Sequence, residues 1–182
     1  MVGKVWSRKS NLEGIRVIRT MFWAKPDFLR QDPAWFHTRV LVGPGAFLTP
    51  KFAYEHGITH VINCAFPDDS PEWFQKSYPN NYACMEAVDS FFVNILAWYP
   101  KFEETMRKFL RHGNGVVYVH CQAGMNGSAS LALAYVCKNF HVKPDEIIPI
   151  LKRQRPCMFQ NTIYMNQVKD FINGRVQSEE NT

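Results

Sequence analysis

The sequence predicts a single domain of the α/β class. Short strand-like runs alternate with helical periodicity from residue 39 onward, which is typical of a sheet layered with helices. The run Val116–Val119 is continuously apolar, as expected for a central strand that is covered on both faces. With 182 residues, 46% of them hydrophobic, the chain is long enough to bury one sizeable core.

Three strands and one short helix are predicted in the first half of this domain. Apolar runs predict strands over Arg39–Val42, His60–Cys64 and Tyr82–Ala87. A helix is predicted near Pro50–His56, because a glycine follows it directly and glycine is a common helix stop.

The second half is predicted to hold the central strand and several helices. Apolar residues spaced by threes and fours predict a helix that runs to about Arg111. Pro100 lies inside this pattern, so the helix either begins just before Pro100 or kinks there. After the central strand, three further helices are predicted, at about Ser128–Asn139, Pro144–Lys152 and Thr162–Gly174.

The two ends of the chain are predicted to differ from the domain between them. Residues 1–35 are interpreted as an N-terminal helical arm, since apolar side chains recur on one side of a helix capped by Ser10 or Asn11. The arm either folds back onto the core or packs on a second copy of the protein; in the second case the protein is a homodimer. The domain itself is predicted over residues 36–176, with a flexible C-terminal tail over residues 177–182.

Composition argues against several classes of protein. No apolar run approaches the roughly 18 residues of a membrane helix, and the N-terminus lacks a signal-peptide core, so no membrane association and an intracellular, cytoplasmic location are predicted. The five cysteines include no CxxC pair, which favours free thiols in a reducing compartment. No Cys/His cluster has zinc spacing, so neither a metal nor a cofactor is predicted. The net charge of +5 is scattered along the chain, which argues against RNA as a partner.

The segment Val119–Ser128 carries the most informative chemistry. It follows the central strand and opens a helix, so a short loop there directs successive backbone N–H groups at one point, and the helix N-terminus adds partial positive charge. Such a loop forms a cradle for an anion. Cys121 lies at its base, where the same dipoles stabilise a thiolate and make the sulfur a nucleophile. Alternatively, Cys121 is one more buried thiol at a strand end.

At this loop the sequence resembles the cysteine-dependent protein tyrosine phosphatases, in particular the dual-specificity subgroup. The signature of that family is His-Cys, five residues, Arg, and then Ser or Thr. Here His120 and Cys121 are in place, and Ser128 fills the last position. The arginine position holds Gly127.

The resemblance covers about residues 38–173 and implies the fold of that family, a central, mixed and mostly parallel sheet flanked by helices. Further landmarks of the family stand in order along the chain: Arg39–Gly43, Gly57–Asn63, Asp89, Arg155-Pro156, Asn161 and Gln167. The Met125-Asn126 pair is similar to small viral members of the subgroup, for which the host cytoplasm or the virion would be the location.

The resemblance implies a role for each matched residue. Cys121 would attack phosphorus in line and form a cysteinyl-phosphate. Asp89, 32 positions before Cys121, would protonate the leaving oxygen and then deprotonate the hydrolytic water; otherwise it is an aspartate that caps a turn or a helix. Ser128 would hydrogen-bond the sulfur, while His120 and Asn161 would support the loop. The implied phosphate-binding residues are Gln122, Ala123, Gly124, Met125, Asn126, Gly127 and Ser128.

Gly127 removes the group that grips phosphate in this family, because arginine presents a planar fork to two phosphate oxygens. The favoured prediction is a pseudophosphatase, a catalytically impaired or inactive protein that binds phosphoproteins or partners in phosphatase and kinase pathways. A weakly active protein tyrosine/serine/threonine phosphatase that uses a Cys121 thiolate is one alternative, with Arg153 or Arg155 as a substitute cation. An RNA 5′-phosphatase-like protein is the second alternative.

Overall fold

A computed structural model describes residues 26–180, with the side chains of residues 27–174. The predicted helix that starts at Ser10 or Asn11 lies outside the described residues. The strands of the described part are β1 (Ala34–His37), β2 (Val40–Pro44), β3 (Ile58–Asn63), β4 (Tyr82–Cys84) and β5 (Val116–Cys121). Its α-helices are α1 (Pro50–Glu55), α2 (Glu72–Ser77), α3 (Tyr99–Arg111), α4 (Gly127–Phe140), α5 (Pro144–Gln154) and α6 (Thr162–Glu180).

The strands form one mixed sheet in the order β1-β2-β5-β3-β4. Strand β1 is antiparallel to β2, whereas the pairs β2–β5, β5–β3 and β3–β4 are parallel. Strand β5 is therefore central, and all six of its residues are buried, which agrees with its continuously apolar sequence. The α/β class and the mostly parallel sheet predicted from the sequence are confirmed.

Two hydrophobic clusters cover the two faces of this sheet. On β5, Val117, Val119 and Cys121 face the larger cluster, while Val116 and Tyr118 face the smaller one, as the two-residue period of a strand requires. Helix α4 is the main element of the larger cluster, and its first eleven residues are all buried. A helix that is apolar on every side is expected in the interior of a protein, so α4 is fixed firmly behind the loop that precedes it.

The structure refines two helix boundaries. Helix α3 begins at Tyr99 with Pro100 in its first turn, where a proline is tolerated because the first N–H groups of a helix have no partner within it. Of the two options left open by the sequence, the start rather than the kink is therefore correct. At the other end of the domain, α6 continues to Glu180, beyond the point at which a flexible tail was predicted to begin.

Among the strands and α-helices of the described residues, two were not predicted from the sequence, strand β1 and helix α2. Both are short, with four and six residues, and neither carries a long apolar repeat. Strand β1 also spans the predicted boundary between the arm and the domain at residues 35 and 36. Residues 34 and 35 are thus part of the sheet.

Candidate functional site

The loop of residues 122–126 joins the end of β5 to the start of α4. It lies at the carboxyl edge of the parallel strands, where open α/β sheets bind ligands. Gly124 has a positive φ of 62°, and a Cβ there would lie 2.2 Å from the carbonyl carbon of Gly43. Only glycine fits this close approach, so the path of the loop past β2 requires glycine at position 124.

The sulfur of Cys121 is held at the base of this loop. The backbone N–H of Gly124 donates to Sγ over 3.2 Å, and the hydroxyl of Ser128 donates to it over 3.1 Å. Cys121 is 8% exposed. Hydrogen bonds from an N–H and an O–H to sulfur are of the kind that stabilises a thiolate. The structure thus brings together Cys121 and Ser128, as the resemblance implies.

His120 is completely buried behind the loop. Its Nδ1 lies 3.3 Å from the carbonyl oxygen of Cys121, and its Nε2 lies 3.0 Å from the hydroxyl oxygen of Ser70. Burial lowers the pKa of His120 to about 4, so the ring is neutral at physiological pH. A carbonyl oxygen only accepts, so Nδ1 is the donor and Nε2 accepts from the Ser70 hydroxyl. Both nitrogens are engaged in holding the strand end, which is the arrangement expected of a supporting residue.

A segment of residues 159–161 supports the loop from the other side. The N–H of Phe159 donates to the carbonyl of Met125 over 2.9 Å. Phe159 has a φ of 61°, a conformation that a bulky residue rarely adopts, so the surrounding contacts impose it. Asn126 Oδ1 accepts the N–H of Asn161 over 3.0 Å, and Asn161 Oδ1 in turn accepts N–H groups in the first turn of α6.

The guanidinium of Arg155 faces the outer side of the loop. It is fully buried, and it donates to five carbonyl oxygens: those of Phe28, Gln31, Asp32, Ala123 and Gly124. An arginine has five N–H donors, so none is left for a ligand. Arg153 lies elsewhere, in a groove beside Trp35. The hypothesis that Arg155 replaces the missing cation is therefore wrong, and Arg153 does not line the site either.

Asp89 lies on a loop that closes the other side of the site. This loop is tied to α6, because the hydroxyl of Tyr164 accepts the N–H of Ser90 over 2.9 Å and donates to the carbonyl of Val88 over 3.1 Å. Burial is the main cause that raises the pKa of Tyr164 to about 12, so the hydroxyl keeps its proton. Sequence reasoning missed Tyr164, although its position three residues after Asn161 places it in the first turn of α6.

Asp89 and Cys121 line one small cavity. Its volume is about 20 Å³, enough space for a water molecule or a single ligand oxygen. Apolar side chains such as Val88, Ile95 and Met125 form much of the wall. Among the described residues no lysine or arginine lines this cavity, and Asp89 is its one carboxylate.

A second thiol also reaches the cavity. Cys64 lines it together with Cys121 and is itself buried, 2% exposed. Burial raises the pKa of Cys64 well above its usual value, with a smaller contribution from Cys121. Cys64 is therefore a neutral thiol and adds no charge to the site.

Gly127 is not required by the fold. A Cβ at this position would meet only the Cδ1 of Ile95, at 3.9 Å, which is an ordinary van der Waals distance. Its backbone φ is also outside the left-handed region that favours glycine. Glycine at position 127 is therefore not needed for the turn into α4, although it leaves the site without a side chain there. The buried Ile95 packs beside the space that a longer side chain would enter.

Comparisons with known proteins agree with this geometry. The profile of the family described as dual specificity phosphatase, catalytic domain, matches residues 42–173. Human dual specificity protein phosphatase 16 is 33% identical over 124 residues, which are 68% of this chain and 18% of that protein. Human dual specificity protein phosphatase 1 is 30% identical over 115 residues, which are 63% of this chain and 30% of that protein. The chain thus matches less than a third of the length of these curated relatives.

Solved structures share the fold at lower identity. The human tyrosine phosphatase-like serine/threonine/tyrosine-interacting protein superposes with a TM-score of 0.68 at 22% identity, over 81% of this chain and 99% of that chain. The Cydia pomonella PTP-2 phosphatase superposes with a TM-score of 0.62 at 15% identity, over 76% of this chain and 88% of that chain. These likenesses establish the architecture of the described domain.

Proposed function

Because the chain belongs to the dual specificity phosphatase family, we propose that it is a pseudophosphatase, which binds phosphoproteins or partners in phosphatase and kinase pathways without effective hydrolysis. The single observation that carries this proposal is Gly127, which stands where the family signature has arginine. The two donors to the Cys121 sulfur, the N–H of Gly124 and the hydroxyl of Ser128, support a loop that still accommodates negative charge. The proposed activity is therefore recognition with impaired catalysis.

The missing arginine acts mainly on the chemical step. Its planar fork grips two phosphoryl oxygens and gains strength as they move toward the transition state, so its loss falls on the rate more than on binding. Removing such a charge-assisted contact costs on the order of 3 kcal/mol or more, which is about a hundredfold or more in rate. Arg155 does not compensate, since its donors are all bound to carbonyl oxygens.

We expect the loop to retain phosphate binding although catalysis is impaired, for two reasons. The loop N–H groups and the N-terminus of α4 do not depend on the residue 127 side chain, and they offer a neutral cradle for an oxyanion. In addition, one structural neighbour carries a name that describes a phosphatase-like interacting protein. The neutral cradle is the reason to expect that the bound partner is phosphorylated.

The proposal is tested by restoring the arginine. We expect hydrolysis of an aryl phosphate and of a phosphotyrosine peptide by Gly127→Arg, because the Cβ of the new side chain fits beside Ile95. The unaltered protein should show no turnover above that of Gly127→Arg/Cys121→Ser, the control that keeps the arginine and lacks the nucleophile. Gly127→Arg/Ile95→Ala gives the guanidinium more room if the first variant is crowded. Turnover by the unaltered protein that disappears with Cys121→Ser would contradict the proposal.

A weakly active protein tyrosine/serine/threonine phosphatase is the second candidate function. It is favoured by the hydrogen bond from Ser128 to Cys121 and by Asp89 in the same cavity. The same assay decides it, since residual turnover must then depend on both Cys121 and Asp89. The RNA 5′-phosphatase alternative gains no support, because no basic side chain of the described residues lines the cavity.

The remaining predictions concern assembly and location. The helix of the N-terminal arm, through which a homodimer is predicted, lies outside the described residues, and light scattering before and after deletion of residues 1–24 tests that prediction. In the described part, no helix combines the length and the apolar character needed to cross a membrane. The cytoplasmic location and the similarity to viral members stay predictions.

A further inference from the structure

The loop that carries Asp89 also carries two phenylalanines, the aromatic pair Phe91 and Phe92. Phe91 is 51% exposed and Phe92 is 98% exposed, and Val88 on the same loop is 36% exposed. Single exposed apolar residues are ordinary on a protein surface, whereas three within residues 88–92 concentrate apolar surface on one loop. Phe92 contributes nothing to the core, because almost all of its side chain lies in water. The stability of the fold therefore does not account for an aromatic residue at this position.

Hydrogen bonds hold the turn that presents the aromatic pair. The hydroxyl of Ser90 accepts the N–H of Phe92 over 3.3 Å, and the carbonyl of Ser90 accepts the N–H of Val93 over 3.3 Å. The side-chain amide of Gln167 on α6 accepts the N–H of Ile95 over 3.0 Å and donates to the carbonyl of Val93 over 3.4 Å. A turn that is already ordered loses little further entropy when a partner contacts it, so the aromatic pair is suited to binding.

The aromatic pair also lies close to the cavity that contains Cys121. Val88, Asp89 and Ile95 line this cavity, so the chain leaves its wall after Asp89 and returns to it at Ile95. Phe92 follows Asp89 by three residues, and three residues span at most about 11 Å. Three residues of an extended peptide cover a similar distance. A peptide whose phosphoryl group is held at Cys121 can therefore reach the aromatic pair with a neighbouring residue.

We propose that Phe91 and Phe92 determine which phosphorylated peptides this protein binds, namely those with a large apolar side chain within three positions of the phosphorylated residue. The inference deepens the proposed function, and it rests on that function for the phosphorylated partner. Aromatic side chains are enriched at protein interfaces, where each one buries a large apolar area. The apolar side chain of the peptide packs on the two rings, and both surfaces are removed from water.

The charges at the site favour this apolar contact over an ionic one. In the part of the chain that the structure describes, the cavity is lined by no lysine or arginine, and its one carboxylate is that of Asp89. Without the arginine, neutral donors hold the phosphoryl group, and these are weaker than a charged pair of hydrogen bonds. Apolar contact beside the cavity therefore supplies affinity and selectivity that the cavity itself lacks.

Four fluorescein-labelled peptides of equal length test this inference by fluorescence anisotropy with the full chain. They carry tyrosine or phosphotyrosine at the centre, and leucine or serine two positions before and after it. The leucine phosphopeptide should bind at least about fivefold more tightly than the serine phosphopeptide.

Variants of the aromatic pair should lose this preference. In Phe91→Ala/Phe92→Ala the two phosphopeptides should bind equally, while the affinity for the serine phosphopeptide stays the same. Phe92→Ala alone is the second variant, because it alters only an exposed ring, and it should reduce the preference. Tyr54→Ala is the matched control and should keep the preference, because Tyr54 is 90% exposed and lines a different groove, beside Trp73.

Equal affinity of the unaltered protein for the two phosphopeptides, or a preference that persists in both variants, would overturn the inference. Two other occupants of the aromatic pair would overturn it as well. The first is a lipid surface, shown by binding to phosphatidylcholine vesicles that Phe92→Ala abolishes. The second is another copy of the chain, shown by a dimer in sedimentation that Phe92→Ala dissociates.

The phosphate arm of the same experiment tests the proposed function separately. Equal affinity for the tyrosine and phosphotyrosine forms of each peptide would contradict the binding of phosphorylated partners. Release of phosphate from a phosphopeptide by the unaltered protein would contradict the loss of catalysis, and the leucine preference is then measured in Cys121→Ser. The two proposals can therefore fail independently.

Discussion

At the scale of single residues, His120 shows how the fold uses a titratable group without exposing it to substrate. The ring is buried, it donates from Nδ1 to the carbonyl of Cys121, and it accepts from Ser70 at Nε2. A charged imidazolium would have to give up the bond that Nε2 accepts and lose its hydration. The buried ring therefore stays neutral and is held in place by its two hydrogen bonds, and its protonation destabilises the folded state.

We predict that His120 makes the protein less stable in mild acid. The folded-state pKa of about 4 lies below the ordinary value of 6.5, so the unfolded chain binds more protons between these pH values. The stabilisation is complete above pH 6.5 and is lost as the pH falls toward 4, by up to about 3 kcal/mol in the free energy of unfolding. Urea denaturation at several pH values should show a flatter profile for His120→Gln than for the unaltered protein. Equal slopes for His120→Gln and the unaltered protein would argue against this prediction.

At the scale of secondary-structure elements, helix α6 organises the loop that carries Asp89. Tyr164 and Gln167 project from one face of α6, and both hold backbone groups of this loop. This loop lies between β4 and the 3-10 helix Ile95–Trp98, and it contains neither a helix nor a strand. Its position beside Cys121 is therefore set by α6 rather than by its own backbone.

We expect Tyr164→Phe to loosen this loop. The variant leaves the N–H of Ser90 and the carbonyl of Val88 without their partner, at a cost of about 1–3 kcal/mol for the local structure. Hydrogen exchange at the Ser90 amide should become faster by about one to two orders of magnitude. Tyr135→Phe is the control, since its ring packs on Phe102 in the core. Unchanged exchange at Ser90 would mean that other contacts hold the loop.

The limits of the sequence are also clearest at the scale of elements. Strand β5, helix α4 and the loop between them could be predicted, because a buried strand and a buried helix leave strong apolar signals. The role of Arg155 could not be predicted from the sequence, because its five acceptors are backbone carbonyls, which every residue carries. The same holds for Tyr164, whose partners are also backbone groups.

At the scale of the whole molecule, Arg155 connects three parts of the chain that are distant in sequence. It lies at the C-terminal end of α5, and its donors reach both the phosphate-binding loop and the carbonyls of residues 28, 31 and 32. A buried guanidinium is tolerated only when its donors are satisfied. The segment just before β1 is therefore needed by the site, although it lies outside the residues matched by the family profile, 42–173.

This connection predicts where the folding unit begins. A fragment of residues 36–182 lacks three of the five acceptors of Arg155 and the core residue Ala34, so its buried charge is left partly unsatisfied. Its free energy of unfolding should be lower than that of a fragment of residues 26–182 by at least about 3 kcal/mol, or it should fail to fold. Arg155→Met in the shorter fragment should recover part of the lost free energy of unfolding, because it removes the unsatisfied charge. The control Arg153→Met, at an exposed arginine, should recover none of it. Equal denaturation midpoints for the two fragments would show that the domain begins at residue 36, as the sequence alone predicts, and that the contacts of Arg155 with residues 28–32 contribute little to its stability.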